Sequence, residues 1–210
     1  MEIFMDGIFI VFEGGEKVGK TTQLRHAKEY LEEKGYPVVL THEPGGGDPN
    51  IRKVLLDKKS VISPEEELDY FCIDRALHVD NIISPTLEKG EVVLCDRFEP
   101  STVSYQGYGR GVDIPLIRKK SAQARRGVWP HLIILLDADP EIALRREEAT
   151  SRFDAESLDF HKRVRAGFLT QAHEDLARWR IVDATQTIDI VWNVIKEHLD
   201  TLLQKKEDKS

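Results

Sequence analysis

Short runs of consecutive apolar residues alternate along this chain with longer segments in which apolar residues recur every three or four positions. Uninterrupted runs indicate strands buried on both faces, and the three- to four-residue period indicates helices with one apolar face. Strands are predicted at 8–12, 38–40, 91–95, 131–137 and 181–183. Helices are predicted at 21–34, 51–57, 63–83, 114–126, 157–179 and 187–203, with a further one opening at Pro140. This alternation predicts an α/β fold with a five-stranded parallel sheet and helices on both faces.

Local signals fix several of the predicted helix ends. Ser63 can cap a helix, Pro64 fits its first turn, and Glu66 completes a capping box. Gly35 is well placed to end the first helix. No internal repeat or linker is visible, so residues 1–210 form one predicted domain with a charged, frayed tail at 205–210.

The segment after the first strand carries the strongest chemical signal. Gly14, Gly19, Lys20 and Thr21 fill every fixed position of the pattern G-x-x-x-x-G-K-[ST], between a strand and a helix. Glycines let the backbone N–H groups turn inward, and the helix N-terminus adds its dipole, so such a loop binds phosphate. Lys20 is expected to reach the β- and γ-phosphates of a nucleoside triphosphate, and the Thr21 hydroxyl to bind Mg²⁺. The sequence therefore predicts the P-loop NTPase version of the three-layer α/β fold.

Two further unusual segments follow predicted strands. The segment Glu43-Pro44 with three glycines at 45–47 follows the second strand, and Asp96 and Arg97 follow the third. Ligands bind outside the carboxyl ends of the strands in such sheets, so these segments and the phosphate loop are expected to form one site. The glycines at 106–111 predict an additional loop.

Composition and charge narrow the class of protein. The chain has 210 residues, 40% of them hydrophobic, and a formal net charge of −7. An acidic chain repels nucleic acid and anionic membranes, and no apolar run approaches the ~20 residues of a membrane-spanning helix. The N-terminus shows no secretory signal, and Cys72 and Cys95 lack metal-type spacing. We therefore expect a cytoplasmic protein that binds neither nucleic acid nor membrane.

Phosphoryl transfer requires positive charge around both phosphates. Arg52, Arg75 and Arg97 are candidates for holding an acceptor phosphate, because the guanidinium fork matches phosphate oxygens. Considered alone, Asp74 and Arg75 are better explained as a solvated face or a local ion pair beside the apolar stripe. Asp96 could hold Mg²⁺ through water. The charged stretch at about 145–156, with Arg145, Arg146 and Arg152, predicts a short mobile lid; its alternative is a solvated turn.

These motifs together resemble the thymidylate kinase family, which makes dTDP from dTMP and ATP. The resemblance covers residues 8 to about 183. It rests on Phe12-Glu13-Gly14, Gly19-Lys20-Thr21-Thr22-Gln23, Glu43-Pro44-Gly45-Gly46, Phe71 with Asp74-Arg75, Asp96-Arg97-Phe98, Ser101-Thr102, Tyr105-Gln106-Gly107, Pro130, Leu136-Asp137, Pro140-Glu141, Leu144-Arg145, Arg152-Phe153, Asp159-Phe160, Val164-Arg165 and Gly167-Phe168.

The resemblance implies roles for the matched residues at the acceptor. Phe71 would stack on thymine, Arg75 would bond a base carbonyl, and Arg97 with Arg52 would hold the phosphate. Tyr105 would leave no room for a ribose 2′-hydroxyl. The implied dTMP-binding set is Glu16, Pro44, Arg52, Phe71, Arg75, Arg97, Thr102, Tyr105 and Gln106.

The resemblance also implies the donor and catalytic sets and a homodimer. The ATP-binding set is Gly14, Gly15, Glu16, Lys17, Val18, Gly19, Lys20, Thr21, Thr22 and Arg145; the catalytic set is Lys20, Lys17, Arg97 and Arg152; the Mg²⁺ ligands are Thr21 and Asp96. The dimer would pair through helices containing residues 71–83 and 101–105.

Three departures from the family pattern concern how phosphate and charge are handled. Gly47 stands where Thr is usual, and the segment from Gly47 to Ile51 is short. The lid before Arg152 is short as well. Lys17 occupies a phosphate-loop position where many bacterial members have Gly, and it could supply charge that a short lid cannot.

Two alternatives remain open. A kinase for another monophosphate or for a deoxynucleoside would share most of these motifs. A non-catalytic nucleotide-binding regulator is a different class, although Lys20, Thr21, Asp96 and Arg97 are all present. A GTPase switch would need a guanine-binding N-K-x-D segment, which the sequence lacks.

Overall fold

A computed structural model describes residues 7–146 and 151–208 of the chain. It contains one five-stranded, all-parallel sheet in the order β2-β3-β1-β4-β5, which confirms the predicted fold class. The strands are β1 Ile8–Gly14, β2 Val38–His42, β3 Val92–Asp96, β4 Leu132–Asp137 and β5 Trp179–Asp183. Because β1, β2 and β3 are adjacent, the segments that follow them lie together at one edge of the sheet.

Helices cover both faces of the sheet. They are α1 Lys20–Glu33, α2 Pro49–Leu56, α3 Pro64–His78, α4 Ser84–Glu88, α5 Glu99–Thr102, α6 Ile114–Ala124, α7 Pro140–Ala143, α8 Leu158–Glu174 and α9 Ile188–Glu207. The capping box predicted at Ser63 and Glu66 is present. No helix within the described ranges is both long and apolar enough to cross a membrane.

Alternate residues of β1 build two separate hydrophobic layers. Ile8, Ile10 and Phe12 pack with α1 and α9 on one face. Phe9 and Val11 pack on the other face with the continuation of α3 and with α8. A strand buried on both faces needs apolar residues at every position, which explains why β1 appears in the sequence as a continuous run.

The prediction of a glycine-rich loop at 106–111 is wrong for most of this range. Residues Val103–Gly109 form a π-helical segment that continues α5. Its glycines serve close packing, because a Cβ on Gly109 would lie 2.6 Å from Phe160 of α8. Wide helical turns of this kind are frequent at functional sites.

Three other expectations need correction. The helix predicted to reach residue 179 ends at Glu174, and Trp179 already belongs to β5. Residues 205–207, expected to be part of a frayed tail, continue α9; residues 209 and 210 lie outside the described residues. Residues 101–105, expected to pair two protomers, are buried inside the chain.

Candidate functional site

A single cavity of about 980 Å³ runs along the carboxyl edge of the sheet. Every residue predicted to bind the acceptor lines it, together with most of those predicted to bind the donor. The lining residues from the predicted sets are Glu16, Lys17, Val18, Gly19, Lys20, Thr21, Thr22, Pro44, Arg52, Phe71, Arg75, Asp96, Arg97, Thr102, Tyr105 and Gln106. The sequence-predicted segments therefore do meet in one place.

The phosphate loop has the backbone geometry that its glycines predict. Gly14 has φ 142° and Gly19 has φ 89°. A Cβ on Gly14 would lie 2.4 Å from the Leu136 carbonyl oxygen, so no other residue fits there. Helix α1 starts directly after Gly19, which directs its N-terminal dipole at the loop. Lys20 is buried and donates to the Gly15 carbonyl at 2.9 Å.

Arg97, predicted to hold the acceptor phosphate, reaches the same loop. Its guanidinium donates to the Gly14 carbonyl at 2.8 Å and to Glu16 at 2.9 Å. Lys20 Nζ also lies 3.4 Å from the Gly14 carbonyl oxygen. The donor-side and acceptor-side cations therefore meet at one point of the backbone, between the two halves of the cavity.

These cations have opposite pKa shifts. Burial, followed by the nearby guanidinium of Arg97, lowers the pKa of Lys20 below its ordinary value. Burial is the largest single effect on Arg97 and acts to lower its pKa, but the interactions with Glu16, Tyr105, Asp96 and Glu13 together outweigh burial and raise the pKa. Arg97 is thus charged at any working pH, and an added phosphate would favour the charged form of Lys20.

Thr21 and Asp96, the predicted Mg²⁺ ligands, both line the cavity. The Oδ1 atom of Asp96 is buried and has no hydrogen-bond partner among the described residues. A buried carboxylate oxygen is normally satisfied, so this one is suited to a cation or to its bound water. Mg²⁺ is bound by one or two protein oxygens plus substrate phosphates, and this pair provides that donor set.

The end of the cavity predicted to hold the acceptor is aromatic on one side. Phe153 contacts both Phe71 and Tyr105, with ring centroids 6.3 Å apart for Phe71–Phe153 and 5.7 Å apart for Tyr105–Phe153. The Tyr105 hydroxyl donates to Glu16 at 2.5 Å, and Arg97 lies 5.0 Å from the Tyr105 ring centroid. Tyr105 is therefore fixed at both its ring and its hydroxyl.

Arg75 is held rigidly at the floor of this end. It is 1% exposed and donates through Nε and Nη2 to Glu43 Oε2 at 3.0 and 2.7 Å. It also donates to Thr102 at 2.9 Å and to Ser121 at 3.2 Å. Asp74, the neighbour expected to pair with Arg75 if the two formed a local ion pair, does not bind it. The alternative of an Asp74–Arg75 ion pair is therefore wrong.

Asp74 instead holds the glycine-rich segment. Its carboxylate accepts from the backbone N–H groups of Gly45, Gly47 and Asp48 at 2.6, 3.1 and 2.7 Å. A Cβ on Gly47 would lie 2.1 Å from the Asp74 carbonyl oxygen. The glycine found where the family usually has Thr thus lets a short segment pack directly on α3. Arg52 of α2 donates to the Pro44 carbonyl at 2.7 Å, which keeps it beside the cavity.

The lid arginines differ from their predicted places. Arg146 rather than Arg145 lines the cavity, and it donates to the carbonyls of Lys17 at 3.4 Å and Ala184 at 2.9 Å. The expected place of Arg145 beside the donor is therefore occupied by its neighbour. Residues 147–150 of the predicted lid lie outside the described residues.

Arg152, predicted to be catalytic, does not line the cavity. Its Nε donates to the Leu55 carbonyl at 2.6 Å, and its Nη2 pairs with Glu67. The guanidinium lies over the Phe153 ring, 4.8 Å from its centroid. Contact with a transferred phosphoryl group would require Arg152 to leave these partners.

One functional residue, Glu13, escaped prediction. It is the penultimate residue of β1, fully buried, and accepts from the N–H groups of Phe98 and Ser101 at 2.9 and 3.3 Å. The Ser101 hydroxyl donates to Glu13 at 2.6 Å and accepts from Arg97 at 3.1 Å. Glu13 therefore fixes the start of α5 and, through Ser101, Arg97. The signal available was a carboxylate directly after a buried apolar run.

Replacing Glu13 with glutamine should alter how stability depends on pH. Burial, opposed by Arg97, raises the pKa of Glu13 from 4.5 to about 7. A carboxyl with a higher pKa in the folded than in the unfolded chain contributes stability at low pH, and loses it as pH rises from about 4.5 to 7. Glutamine does not titrate, so Glu13→Gln lacks this loss. The difference in unfolding free energy between the variant and the native chain should therefore shift in favour of the variant by on the order of 1–3 kcal/mol from pH 5 to pH 8.

Urea titrations at pH 5 and pH 8 measure this difference. Glu66→Gln is the control, because its hydrogen bonds to Ser63 lower the pKa of Glu66 and place any effect below this pH range. A difference for Glu13→Gln that stays constant between the two pH values would contradict the assignment.

Comparisons with known proteins agree with this geometry. The family model described as Thymidylate kinase matches residues 12–195. A thymidylate kinase of Maridesulfovibrio salexigens is 46% identical over 202 residues, covering 90% of this chain and 93% of that protein. One from Gloeobacter violaceus is 42% identical, covering 96% and 99%. The crystal structure of thymidylate kinase from Ehrlichia chaffeensis matches with TM-score 0.78 and 33% identity, covering 92% of this chain and 98% of that one.

Proposed function

This chain belongs to the thymidylate kinase family, and we propose that it transfers the γ-phosphoryl group of ATP to dTMP in the cavity along the carboxyl edge of its sheet. The chain is a kinase, and its products are dTDP and ADP. The observation that carries the site assignment is the meeting of Lys20 and Arg97 at the carbonyls of Gly14 and Gly15. Two phosphates brought to these cations from opposite ends of the cavity would face each other.

The donor phosphates are assigned to the phosphate loop. The loop N–H groups, the dipole of α1 and Lys20 would bind them, and positioning with positive charge is most of what phosphoryl transfer requires. Bound through Thr21 and Asp96, Mg²⁺ would neutralise charge on the phosphates. Lys17 lines the cavity and Arg146 donates to its carbonyl, so both can add charge near the γ-phosphate.

The acceptor is assigned to the aromatic end. Phe71 offers a ring face for stacking, Arg75 a donor to a base carbonyl, and Arg97 with Arg52 a pair of cations for the phosphate. Glu43 and Thr102 hold the Arg75 guanidinium in place, so little ordering is needed on binding.

We also propose a homodimer and a cytoplasmic location. Helix α3 exposes two large apolar side chains, Ile73 at 51% and Leu77 at 38%, which supports pairing through this helix alone. Cys72 and Cys95 form no disulfide, which fits a reducing compartment.

The panel that tests the proposal measures ADP release with ATP and single acceptors: dTMP, other monophosphates, thymidine and no acceptor. The proposal expects ADP release that depends on dTMP. A preference for GMP, CMP or thymidine would favour a kinase for that acceptor. If no acceptor leads to ADP release, the chain would be better explained as a non-catalytic nucleotide-binding regulator.

Tyr105→Ala should weaken selection against ribonucleotides. The ring fills the space beside the sugar and is fixed by Glu16 and Arg97, so its removal makes room for a 2′-hydroxyl. We expect the kcat/KM of the ribonucleotide of thymine to rise relative to that of dTMP. Tyr108→Ala is a matched control in the same π-helical segment, because Tyr108 does not line the cavity. Equal ratios in both variants would remove Tyr105 from this role.

A further inference from the structure

Glu67, in the first turn of α3, is a buried carboxylate for which the proposed function has no use. Its side chain is 1% exposed and lies outside the cavity. Three donors converge on it: Gln106 Nε2 at 2.5 Å, Arg152 Nη2 at 2.5 Å and Arg110 Nε at 3.5 Å. They come from the π-helical segment, the lid and the loop before α6. A buried carboxylate is retained only when it is paired in this way.

This pairing decides which way the amide of Gln106 faces. A carboxylate only accepts hydrogen bonds, so the amide nitrogen must be the atom directed at Glu67. The amide oxygen is then directed away from Glu67. It is buried, and it has no hydrogen-bond partner within the described part of the chain. Gln106 itself lines the cavity at its acceptor end.

A buried carbonyl oxygen without a partner in the wall of a binding cavity is suited to a ligand that donates a hydrogen bond. Resting on the proposed function, we propose that Glu67 is a positioning residue that fixes the Gln106 amide so that its oxygen accepts a hydrogen bond from the acceptor base. Glu67 touches no substrate. It acts through Gln106, and Arg110 and Arg152 hold it in place.

The base chemistry gives this arrangement a consequence for selectivity. Thymine in a nucleotide carries one ring N–H, at N3, which is a donor. Cytosine has an unprotonated N3, which is an acceptor, so it would face the fixed amide oxygen with a second acceptor. Leaving two acceptors in contact without a proton costs the hydrogen bond and the desolvation of both. Preference for thymine over cytosine therefore depends on Glu67.

Glu67→Gln removes the constraint while keeping the size of the side chain. A glutamine at this position can donate or accept, so the Gln106 amide is free to turn over and offer its nitrogen to cytosine. Glu156→Gln is the matched control. Glu156 belongs to the same ionic cluster through Arg110, at 2.5 Å, but does not contact Gln106.

Isothermal titration calorimetry with dTMP and with dCMP gives the ratio of the two Kd values for each protein. We expect the native chain and Glu156→Gln to share one ratio in favour of dTMP, and Glu67→Gln to lose about tenfold or more of it. A Glu67→Gln ratio within twofold of that of Glu156→Gln overturns the proposal. So does a native chain that does not discriminate between the two nucleotides.

Two points keep the test decisive. If circular dichroism shows Glu67→Gln to be unfolded, Glu67→Asp replaces it. Aspartate keeps the negative charge facing the arginines but draws the carboxylate back from Gln106. This variant should therefore lose selectivity for dTMP over dCMP as well.

Binding needs no turnover, so a failure of the proposed kinase reaction in the acceptor panel is distinguishable from a failure of this inference.

Discussion

Lys20→Met is expected to lower kcat by about a thousandfold, with the fold preserved. Lys20 is buried, lies at the start of α1 and bonds the carbonyls of the phosphate loop, so its charge is already in place for the donor phosphates. Methionine keeps the length and apolar stem of lysine but offers no charge to the group being transferred. A preorganised cation of this kind acts mainly on the transition state, so kcat should change far more than the KM for dTMP.

Lys28→Met is the matched control for this change. Lys28 lies on the same helix, is partly exposed outside the cavity, and pairs with Glu32 at 2.6 Å. Steady-state kinetics with saturating ATP should give a native kcat for Lys28→Met. A kcat for Lys20→Met within tenfold of the native value would contradict the assignment of Lys20.

Arg97→Met is expected to lower kcat/KM for dTMP by at least about tenfold, and up to about a hundredfold. Two effects add. The acceptor phosphate would lose a charge-assisted contact, and Glu16 would lose the guanidinium that Arg97 places 2.9 Å from it. Because this carboxylate and the Tyr105 hydroxyl share a hydrogen bond, the sugar end of the cavity should loosen as well.

The chain offers an unusually close control for Arg97. Arg126 also has a positive φ, 50° against 69° for Arg97, and it also pairs with a carboxylate, Asp80 at 2.7 Å. It is exposed and lies outside the cavity. Arg126→Met should therefore reproduce any backbone effect of the change without the loss of kcat/KM. Equal losses in the two variants would show that Arg97 matters only for the fold.

The parts of the fold that depend on local patterns could be predicted from the sequence. Apolar runs predicted all five strands. In β1, β3 and β4 these runs are continuous because the strands are buried on both faces and cannot alternate. The cap at Ser63 was predicted because capping depends only on neighbours in the chain. The π-helical segment at Val103–Gly109 was missed, because its glycines are set by contact with α8, which no local signal reports.

The same distinction holds for the candidate site. Residues that a ligand would touch, such as Arg97 and Tyr105, were found through motifs. Two residues that hold side chains of the site were not: Glu13, which fixes Arg97 through Ser101, and Glu67, which binds Gln106. Glu13 and Glu67 are buried carboxylates whose partners come from more than thirty positions away along the chain, so only the fold shows what they bind. Glu67 was harder still to single out, because it follows two glutamates at the start of α3 that are exposed, and the sequence does not distinguish it from them.

The placement of Arg152 is the clearest example of chemistry that depends on conformation. A charged segment with three arginines predicted a lid whose charges face the donor. In the folded chain Arg146 lines the cavity and donates to the Ala184 carbonyl, whereas Arg152 is paired with Glu67 outside the cavity. The contacts at the two ends of the lid therefore decide which arginine can reach the phosphates.

The central claim is tested most directly by a competition experiment. ATP, Mg²⁺ and the chain are mixed with equal concentrations of dTMP, dCMP, dGMP, UMP and thymidine, and the phosphorylated products are identified by mass spectrometry at early times. The account predicts dTDP as the main product, with its formation matched by ADP. A main product that derives from any other acceptor, or ADP formed without a phosphorylated acceptor, would contradict it.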